Sequence, residues 1–482
     1  MDRSPLMAAA GLVLFALAVY VFVPPVAPAD GLPAASSDPL PAPQTRLPRS
    51  LGEMQLSFAP VVKRVAPAVV NVYSRSVVQA PVNPFFGDPF FQQFFGNPQM
   101  RQRVQQSLGS GVIVRADGVI LTNDHVIRGG QDITVALADK REFKAKVLLA
   151  DPHTDLAVLK IDTHGEKLPV IEFGDSDRVE TGDLVLAVGD PFGVGQTVTM
   201  GIVSALARTN VEDGNYSYFI QTDAAINPGN SGGALVTSDG RLIGINTAIF
   251  SRTGDYAGIG FAIPSNLARR VVEGALGGGV KLPWIGADGQ PVTQDIAQSL
   301  GLPKPGGVLL KSVYPDGPAA RAGLRTGDVV FSADGTEVDD MEALNYRVAT
   351  HKAGDVVKLR VGQHGQARDI AVRLELPPEN PPRDLTTIVG RNPLTGARVE
   401  NLSPAVATDL QMSPMAKGVV VASPGESIAA GQGFQPGDII MSVNGQAIRD
   451  VGQLMRALNS AGGHWDMIID RGGQRMTLSV DG

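Results

Sequence analysis

Residues 227–233 are Asn-Pro-Gly-Asn-Ser-Gly-Gly, and they lie between short apolar runs at residues 184–188 and 242–247. Similar runs of Val, Ile and Leu, bounded by Gly, Asp and Asn, recur from about residue 58 to residue 272. This spacing predicts an antiparallel all-β domain, a barrel or a sandwich. Ser231 stands on a glycine-rich turn, where a nucleophile would be exposed beside free backbone N–H groups. The same residues also suit an ordinary turn between strands.

His125 and Asp155 are the other candidates for chemistry in this domain. His125 follows an apolar run at residues 119–122, and Asp155 leads directly into another at residues 156–161. Asp151 competes with Asp155, but its neighbour Pro152 suits a turn. The order His, Asp, Ser, each at a strand edge, is that of chymotrypsin-type double barrels. We therefore predict a triad of His125, Asp155 and Ser231, against the alternative that each is a turn or loop residue.

Composition excludes several other classes of protein. A chain of 482 residues predicts about three domains. Its 0 cysteines exclude disulfides, thiolate catalysis and cysteine-ligated metals. The six histidines show no metal-ligand spacing, so we expect no metal and no cofactor. With a net charge of −7 and no dense Lys/Arg stripe, we also expect no nucleic-acid partner.

The N-terminus carries an uninterrupted apolar run from residue 6 to residue 23. It is longer than the roughly 7–15 residues of a signal-peptide core and close to the about 20 that span a bilayer. Ala27-Pro28-Ala29 also resembles a signal-peptidase site. We expect residues 1–26 to be a retained membrane anchor or a cleaved signal peptide, with a buried helix as the remaining alternative. Residues 27–55 form a Pro-rich linker.

An internal repeat follows the β domain and its predicted closing helix at residues 266–276. Gly-Asp-Val-Val at residues 327–330 recurs as Gly-Asp-Ile-Ile at residues 437–440, an offset of 110 (437 − 327). Each copy is followed at the same distance by an Asx-Gly pair that suits a tight hairpin. We predict a protease domain over 56–276, a first repeat over 281–376 and a second over 385–482.

These features resemble the HtrA/Deg family of PDZ-containing serine proteases, of the periplasmic Do-like kind, over nearly all of the chain from about residue 58. The resemblance rests on segments distributed along the first domain: 108–113, 122–126, 154–158, 191–193, 201–204, 221–227, 229–233 and 258–264. Two departures are small. Asp124 stands where Asn or Tyr is more usual, and Asp190 precedes Pro191 where Asn is common. Neither removes a catalytic group.

The resemblance implies a mainly β protein, in which a chymotrypsin-like double β-barrel is followed by two PDZ domains. It implies that Ser231 attacks the scissile carbonyl, His125 transfers the proton and Asp155 orients the imidazole. Backbone N–H groups of Gly229, Asn230 and Ser231 would form the oxyanion hole. By the same analogy an apolar substrate pocket is lined by three residues that otherwise suit a strand core: Ile226, Ile249 and Ile259.

The resemblance also implies partners. Each PDZ domain would hold a peptide carboxylate on a short loop, Ile285-Gly286-Ala287 in the first and Thr395-Gly396-Ala397 in the second. The alternative is that the second only packs against the rest of the protein. The Phe-rich residues 85–95 would contact neighbouring subunits, rather than pack locally, in a homo-trimer or a multiple of trimers.

Together the sequence predicts a serine endopeptidase that degrades misfolded or unfolded polypeptides in the bacterial periplasm, with C-terminal peptides bound by its PDZ domains. Two alternatives remain. One is a regulatory protease that cuts a single signalling substrate, and the other is a chaperone-like binding protein of the cell envelope.

Overall fold

The computed structural model describes residues 57–81, 100–191, 195–208, 218–227, 229–249, 258–277, 279–363, 366–410, 412–413 and 415–481. The predicted anchor or signal peptide, the Pro-rich linker and the Phe-rich segment lie outside these residues. Within the described ranges, no helix is both long and apolar enough to cross a bilayer.

The first six strands close into a barrel. The strands are β1 (Val69–Pro81), β2 (Met100–Arg115), β3 (Val119–Thr122), β4 (Asp132–Ala136), β5 (Glu142–Asp151) and β6 (Leu156–Ile161), in the order β1-β2-β3-β6-β5-β4. Helix α1 (Ala59–Val65) and a 3₁₀ turn (Ala66–Ala68) precede β1, and a one-turn helix α2 (Asp124–Ile127) follows β3. All four residues of β3 are buried, as expected for a short, wholly apolar strand inside a closed sheet.

The next six strands close into a second barrel. They are β7 (Leu184–Gly189), β8 (Thr197–Arg208), β9 (Phe219–Thr222), β10 (Ala234–Thr237), β11 (Leu242–Ile249) and β12 (Gly260–Pro264), in the order β10-β11-β12-β9-β8-β7. A 3₁₀ turn (Ser176–Arg178) precedes this barrel, and the predicted closing helix is α3 (Ser265–Leu276). The Ser231 turn connects β9 to β10, so it is held at both ends by barrel strands.

The two repeats share one architecture, except that the second begins with an additional strand, β19 (Thr386–Thr387). The first contains β13 (Ala287–Pro291), α4 (Gln294–Leu300), β14 (Val308–Val313), α5 (Pro318–Arg321), β15 (Val329–Ala333), β16 (Thr336–Glu337), α6 (Met341–Ala349), β17 (Val356–Gln363) and β18 (Gln366–Arg373). The second contains β19 (Thr386–Thr387), β20 (Arg398–Asn401), α7 (Pro404–Asp409), β21 (Val419–Ser423), α8 (Ile428–Gly431), β22 (Ile439–Val443), β23 (Gln446–Ala447), α9 (Val451–Ser460), β24 (His464–Arg471) and β25 (Gln474–Asp481).

The two Asx-Gly pairs predicted from the repeat form the same type of hairpin turn. Asp334 and Gly335 both have positive φ, +50° and +85°, and Asn444 and Gly445 have +48° and +77°. Positive φ at both central residues defines a type I′ turn, which Asp-Gly and Asn-Gly favour. Each turn therefore fixes the register of the strands beside it.

The predicted mainly β fold, a double β-barrel followed by two repeats, is confirmed.

The first repeat packs on the second barrel through stacked aromatic rings. The rings of Tyr218, just before β9, and Tyr346, on α6, lie 3.8 Å apart between centroids and 4° from parallel. Arg347 lies over both rings, and its Nη2 donates to the Tyr218 hydroxyl at 3.1 Å. Its Nη1 is 2.7 Å from Asp177 Oδ1. Because the Arg347 side chain is only 9% exposed, this ion pair is little screened by water.

We predict that Arg347→Met lowers the free energy of unfolding by about 2 kcal/mol, because it leaves the Tyr218 hydroxyl and Asp177 without their cation. The measurement is urea denaturation followed by tryptophan fluorescence. Arg360→Met is the matched control, since Arg360 pairs with Asp369 on the exposed surface and should change stability by less than about 0.5 kcal/mol. Equal effects of the two variants would show that the Arg347 contact does not hold the domains together.

Candidate active site

His125 and Asp155 form a close pair at the edge of the first barrel. His125 Nδ1 lies 2.8 Å from Asp155 Oδ2 and 2.9 Å from Oδ1, and the His125 backbone N–H donates to Oδ1 at 3.0 Å. The backbone of Asp155 has φ of +51°, which side-chain-bearing residues rarely adopt. Its carbonyl accepts from Asn123 Nδ2 at 2.9 Å and from the Asp124 N–H at 3.1 Å. These bonds hold the unusual conformation that directs the carboxylate at the imidazole.

The Asp155 carboxylate is kept in its charged form by its donors. Burial by itself raises the pKa of Asp155, but hydrogen bonds from His125 and Thr247 and the charge of the imidazole outweigh it, so the pKa lies below its usual value. A carboxyl group whose pKa is lower in the folded than in the unfolded protein stabilises the fold at pH values above its unfolded-state pKa. That stabilisation is lost as the pH falls through its folded-state pKa. Asp155 is therefore an anion throughout the neutral range.

Ser231 is linked to this pair through Thr247, on β11. The Ser231 hydroxyl donates to the Thr247 carbonyl at 2.9 Å, and the Thr247 hydroxyl donates to Asp155 Oδ2 at 2.6 Å. Among the hydrogen bonds of the described residues, none joins Ser231 to the His125 ring. The structure thus brings the three predicted side chains to one place, with the serine hydroxyl turned towards β11.

The turn that carries Ser231 presents backbone N–H groups. Gly229 has φ of +97°, and within the described residues neither its N–H nor that of Ser231 has a hydrogen-bond partner. The Asn230 N–H differs from the expectation, because it donates to the Asn227 carbonyl at 2.9 Å and so closes the turn. Gly232 has φ of +83°, and a Cβ there would lie 2.1 Å from the Ser110 carbonyl oxygen, so only glycine fits.

The three predicted pocket isoleucines differ in their surroundings. Ile226 is buried, and its side chain lies against the bare backbone of Gly260, where a Cβ would be 2.8 Å from Ile226 Cδ1. Ile259 is half-buried. Ile249 ends β11, and its side chain lies outside the description.

In the first repeat, the predicted carboxylate loop has an unoccupied donor. Gly286 has φ of +73°, and its N–H has no partner among the described residues. Its own carbonyl accepts from Tyr314, and that of Ile285 accepts from Ala319, so the loop is fixed from behind. The following strand, β13, is the edge strand of its sheet. An edge strand of this kind can accept an added peptide strand.

The corresponding loop of the second repeat is already occupied. The Gly396 N–H donates to the Ile388 carbonyl at 2.8 Å, and the Ala397 N–H to the Leu394 carbonyl at 2.9 Å. The chain's own β19 pairs with β20 on the side where the first repeat leaves β13 open. A peptide carboxylate therefore finds no free donor on Thr395-Gly396-Ala397, and the first repeat is the better site.

Two residues at the site were missed by the sequence analysis. Thr247 donates to Asp155, and Ser110 donates to the Gly229 carbonyl at 2.6 Å. Both lie on strands where nothing in the local pattern separates a functional hydroxyl from an ordinary strand residue, although Ser110 belongs to a segment that carries the resemblance. In the described parts of the chain, no cluster of three or more His, Asp or Glu residues is arranged to hold a metal ion.

Known proteins are similar to this chain over most of its length. Residues 109–245 match the trypsin-like peptidase domain family, and residues 283–374 and 420–469 each match a PDZ domain family. A protein of Chlamydia pneumoniae described as a probable periplasmic serine endoprotease, DegP-like, is 38% identical over 430 residues, which are 85% of this chain and 86% of that protein. A protein of Brucella suis with the same description is 40% identical over 441 residues, or 84% and 85% of the two chains.

Two solved structures are similar as well. The HtrA-type protease AlgW with a decapeptide is 48% identical, with a TM-score of 0.50, over 67% of this chain and 99% of that one. AlgW with a tripeptide is 45% identical, also with a TM-score of 0.50, over 67% and 98%.

We predict that Thr247→Val lowers kcat/KM for a peptide substrate about tenfold, because Asp155 Oδ2 keeps only the His125 imidazole as a donor and the carboxylate is held less firmly. Thr247→Ser keeps the hydroxyl and should retain most of the activity. Steady-state rates of the two variants and the parent protein test this. If valine and serine at this position gave the same rate, the Thr247 hydroxyl would have no part in the site.

Proposed function

Because the chain belongs to the HtrA/Deg family of PDZ-containing serine endoproteases, we propose that His125, Asp155 and Ser231 are the triad with which this periplasmic endopeptidase degrades misfolded or unfolded proteins. The observation that carries the proposal is the chain of bonds from His125 through Asp155 to Thr247 and on to Ser231. It links the ionised carboxylate that orients the imidazole to Ser231, which stands on a turn where, among the described residues, the N–H groups of Gly229 and Ser231 have no partner.

The proposed reaction begins with rotation of the Ser231 hydroxyl. In the structure this hydroxyl is bonded to the Thr247 carbonyl, so rotation about the side-chain bond must break that contact before His125 can take the proton. Ser231 Oγ then attacks the scissile carbonyl carbon, and His125 returns the proton to the leaving amine. The Asp155 carboxylate, ionised because of its low pKa, stabilises the imidazolium between these steps.

The oxyanion would be held by the N–H groups of Gly229 and Ser231. We leave the Asn230 N–H out of this role, because its bond to Asn227 stabilises the turn itself. Donors that are fixed before the reaction stabilise the transition state without reorganisation, each by about 10²–10³ in rate.

Substrate selection would depend on an apolar pocket lined by Ile226, Ile249 and Ile259. Ile226 lies against the bare backbone of Gly260, the residue that follows Ile259, which supports this assignment. A pocket of branched aliphatic side chains accepts a small aliphatic side chain before the scissile bond. Such residues are buried in folded proteins, so this preference suits unfolded substrates.

We assign the capture of C-terminal peptides to the first PDZ domain, whose Gly286 N–H and edge strand β13 are open. The solved AlgW structures contain peptides, which supports a peptide-binding role here. The second PDZ domain would serve in packing or assembly. We keep the proposed domain boundaries of 56–276, 281–376 and 385–482, assembly as a homo-trimer or a multiple of trimers, and residues 1–26 as a membrane tether or a cleaved signal peptide.

A protease regulated by peptide binding is the second candidate. It is favoured by the Ser231–Thr247 bond, which turns the serine away from His125. The contact between Arg347 and the second barrel also supports it. That contact starts from α6 in the PDZ domain that we expect to bind peptide, so an occupied groove can be sensed by the protease domain.

We predict that Ser231→Ala abolishes cleavage of reduced, unfolded casein while circular dichroism and peptide binding stay unchanged. The reason is that no other group replaces the attacking oxygen. The measurement is casein digestion followed by gel electrophoresis. Ser204→Ala, on β8 away from the turn, is a control that should cleave normally. Cleavage by Ser231→Ala at the rate of the parent protein would contradict the triad.

We also predict that the Ser231→Ala protein binds a peptide with a free C-terminal carboxylate about tenfold or more tightly than the same peptide amidated at that end. The carboxylate makes charge-assisted hydrogen bonds that a neutral amide does not. Fluorescence polarisation with both peptides provides the comparison. Equal affinities would exclude capture of the carboxylate at the Gly286 loop.

A further inference from the structure

A buried carboxyl group lies behind the proposed oxyanion turn and has no part in the triad. Asp190 directly follows β7 and is 6% exposed. The buried Oδ1 of its carboxyl group has no hydrogen-bond partner within the described residues. An unpartnered buried oxygen costs free energy, and it costs more when it is charged. Burial accordingly raises the pKa of Asp190 above its usual value.

The backbone of Asp190 is connected to the oxyanion turn by two routes. Its N–H donates to Ser110 Oγ at 2.8 Å, and the same hydroxyl donates to the Gly229 carbonyl at 2.6 Å. The next residue, Pro191, lies directly against Gly229, where a Cβ would be 2.6 Å from Pro191 Cβ. On the opposite side, Asn71 Nδ2 donates to the Asp190 carbonyl at 2.5 Å. A displacement of Asp190 would therefore be passed to the Gly229–Asn230 peptide group, which lies between the two N–H groups of the proposed oxyanion hole.

Within the described residues, no cation balances this carboxyl group, since Asp190 forms no ion pair there. Its backbone bonds to the amide of Asn71 and the hydroxyl of Ser110, and its charge acts on the phenol of Tyr73. Burial raises the pKa of Tyr73 first, and the charges of Asp190 and Glu142 raise it further, so the phenol is neutral and supplies no positive charge. When Asp190 ionises, it adds an uncompensated negative charge close to the place where the reaction develops an oxyanion.

We propose that Asp190 is a titratable positioning residue for the oxyanion turn, which supports the reaction when its carboxyl group is neutral and slows it when that group is ionised. The proposal rests on the proposed function. The neutral acid leaves no uncompensated charge behind the turn. The carboxylate strains the support of Gly229, and its charge opposes the negative charge of the transition state. The restraint that Asp190 imposes would thus be strongest at neutral pH and would weaken as pH falls, relative to a protein that lacks this carboxyl group.

The experiment compares kcat/KM of the full chain and of Asp190→Asn, the neutral residue of the same shape, on a chromogenic peptide between pH 4.5 and pH 8.5. Dividing kcat/KM of Asp190→Asn by that of the parent protein at each pH cancels the pH dependence that the two proteins have in common. We expect Asp190→Asn to be roughly three- to thirtyfold faster at pH 8, the range for a nearby like charge at an effective dielectric of about 20. The ratio should approach one as pH falls and Asp190 takes up its proton.

A second measurement does not depend on turnover. A peptide boronic acid forms a tetrahedral, negatively charged adduct with an active serine, so Asp190→Asn should bind it more tightly than the parent protein at pH 8 by a similar factor. The control is Asp132→Asn, which removes an exposed carboxylate from β4. It should give a ratio near one at every pH. Thermal unfolding at each pH verifies that all three proteins are folded.

The outcomes separate the proposal from the function on which it rests. If the parent protein neither cleaves the peptide nor binds the boronic acid, the proposed protease site is wrong. If it does both, but the ratio for Asp190→Asn is the same at every pH, Asp190 has only a structural role and the proposal is overturned. A ratio that rises with pH for Asp190→Asn and stays flat for Asp132→Asn supports it.

Discussion

The site depends on one half-buried carboxylate that joins the two barrels. Asp155 begins at the edge of the first barrel and accepts from the imidazole and backbone of His125. Its second oxygen accepts from Thr247, which belongs to the second barrel. A carboxylate taken out of water is stable only when donors replace its hydration. The two barrels must therefore pack so that Thr247, on β11, lies within hydrogen-bond distance of Asp155. That requirement fixes the position of Ser231 relative to His125.

The turn that carries Ser231 is also held by hydrogen bonds between the two barrels. The Ser110 N–H, in the first barrel, donates to the Ser231 carbonyl at 2.7 Å, and its hydroxyl donates to the Gly229 carbonyl. The turn itself belongs to the second barrel. Because its donors come from a different barrel, the geometry of the turn responds to any movement between the two. A PDZ domain that packs on the second barrel through Arg347 is well placed to cause such movement.

Much of the fold could be predicted from local pattern, because local chemistry decides it. Short apolar runs predict buried strands, and Asp334-Gly335 and Asn444-Gly445 predict the type I′ hairpins that the backbone shows. The candidate residues His125, Asp155 and Ser231 were visible because each interrupts a strand pattern with a polar group. What sequence alone does not show is which partner a group finds across the fold. Thr247 looks like any strand threonine until Asp155 lies beside it.

The second PDZ domain illustrates the same limit. Its loop at Thr395-Gly396-Ala397 resembles a carboxylate site in sequence, but a segment that includes Ile388 folds back and takes the donors. Asn230 is similar, since its N–H closes the turn with Asn227 instead of facing outwards. In each case the residue type was suitable, and a competing hydrogen bond decided the outcome.

If His125, Asp155 and Ser231 form the triad, the fold activates Ser231 and no other serine. Labelling of the native protein with a fluorophosphonate, followed by mass spectrometry of the peptides, tests it most directly, because this reagent reacts with serines that an adjacent base activates. We expect a single adduct on Ser231 that is lost when the protein is unfolded before labelling. An adduct on a different serine, or continued proteolysis by protein whose Ser231 carries the adduct, would contradict the triad.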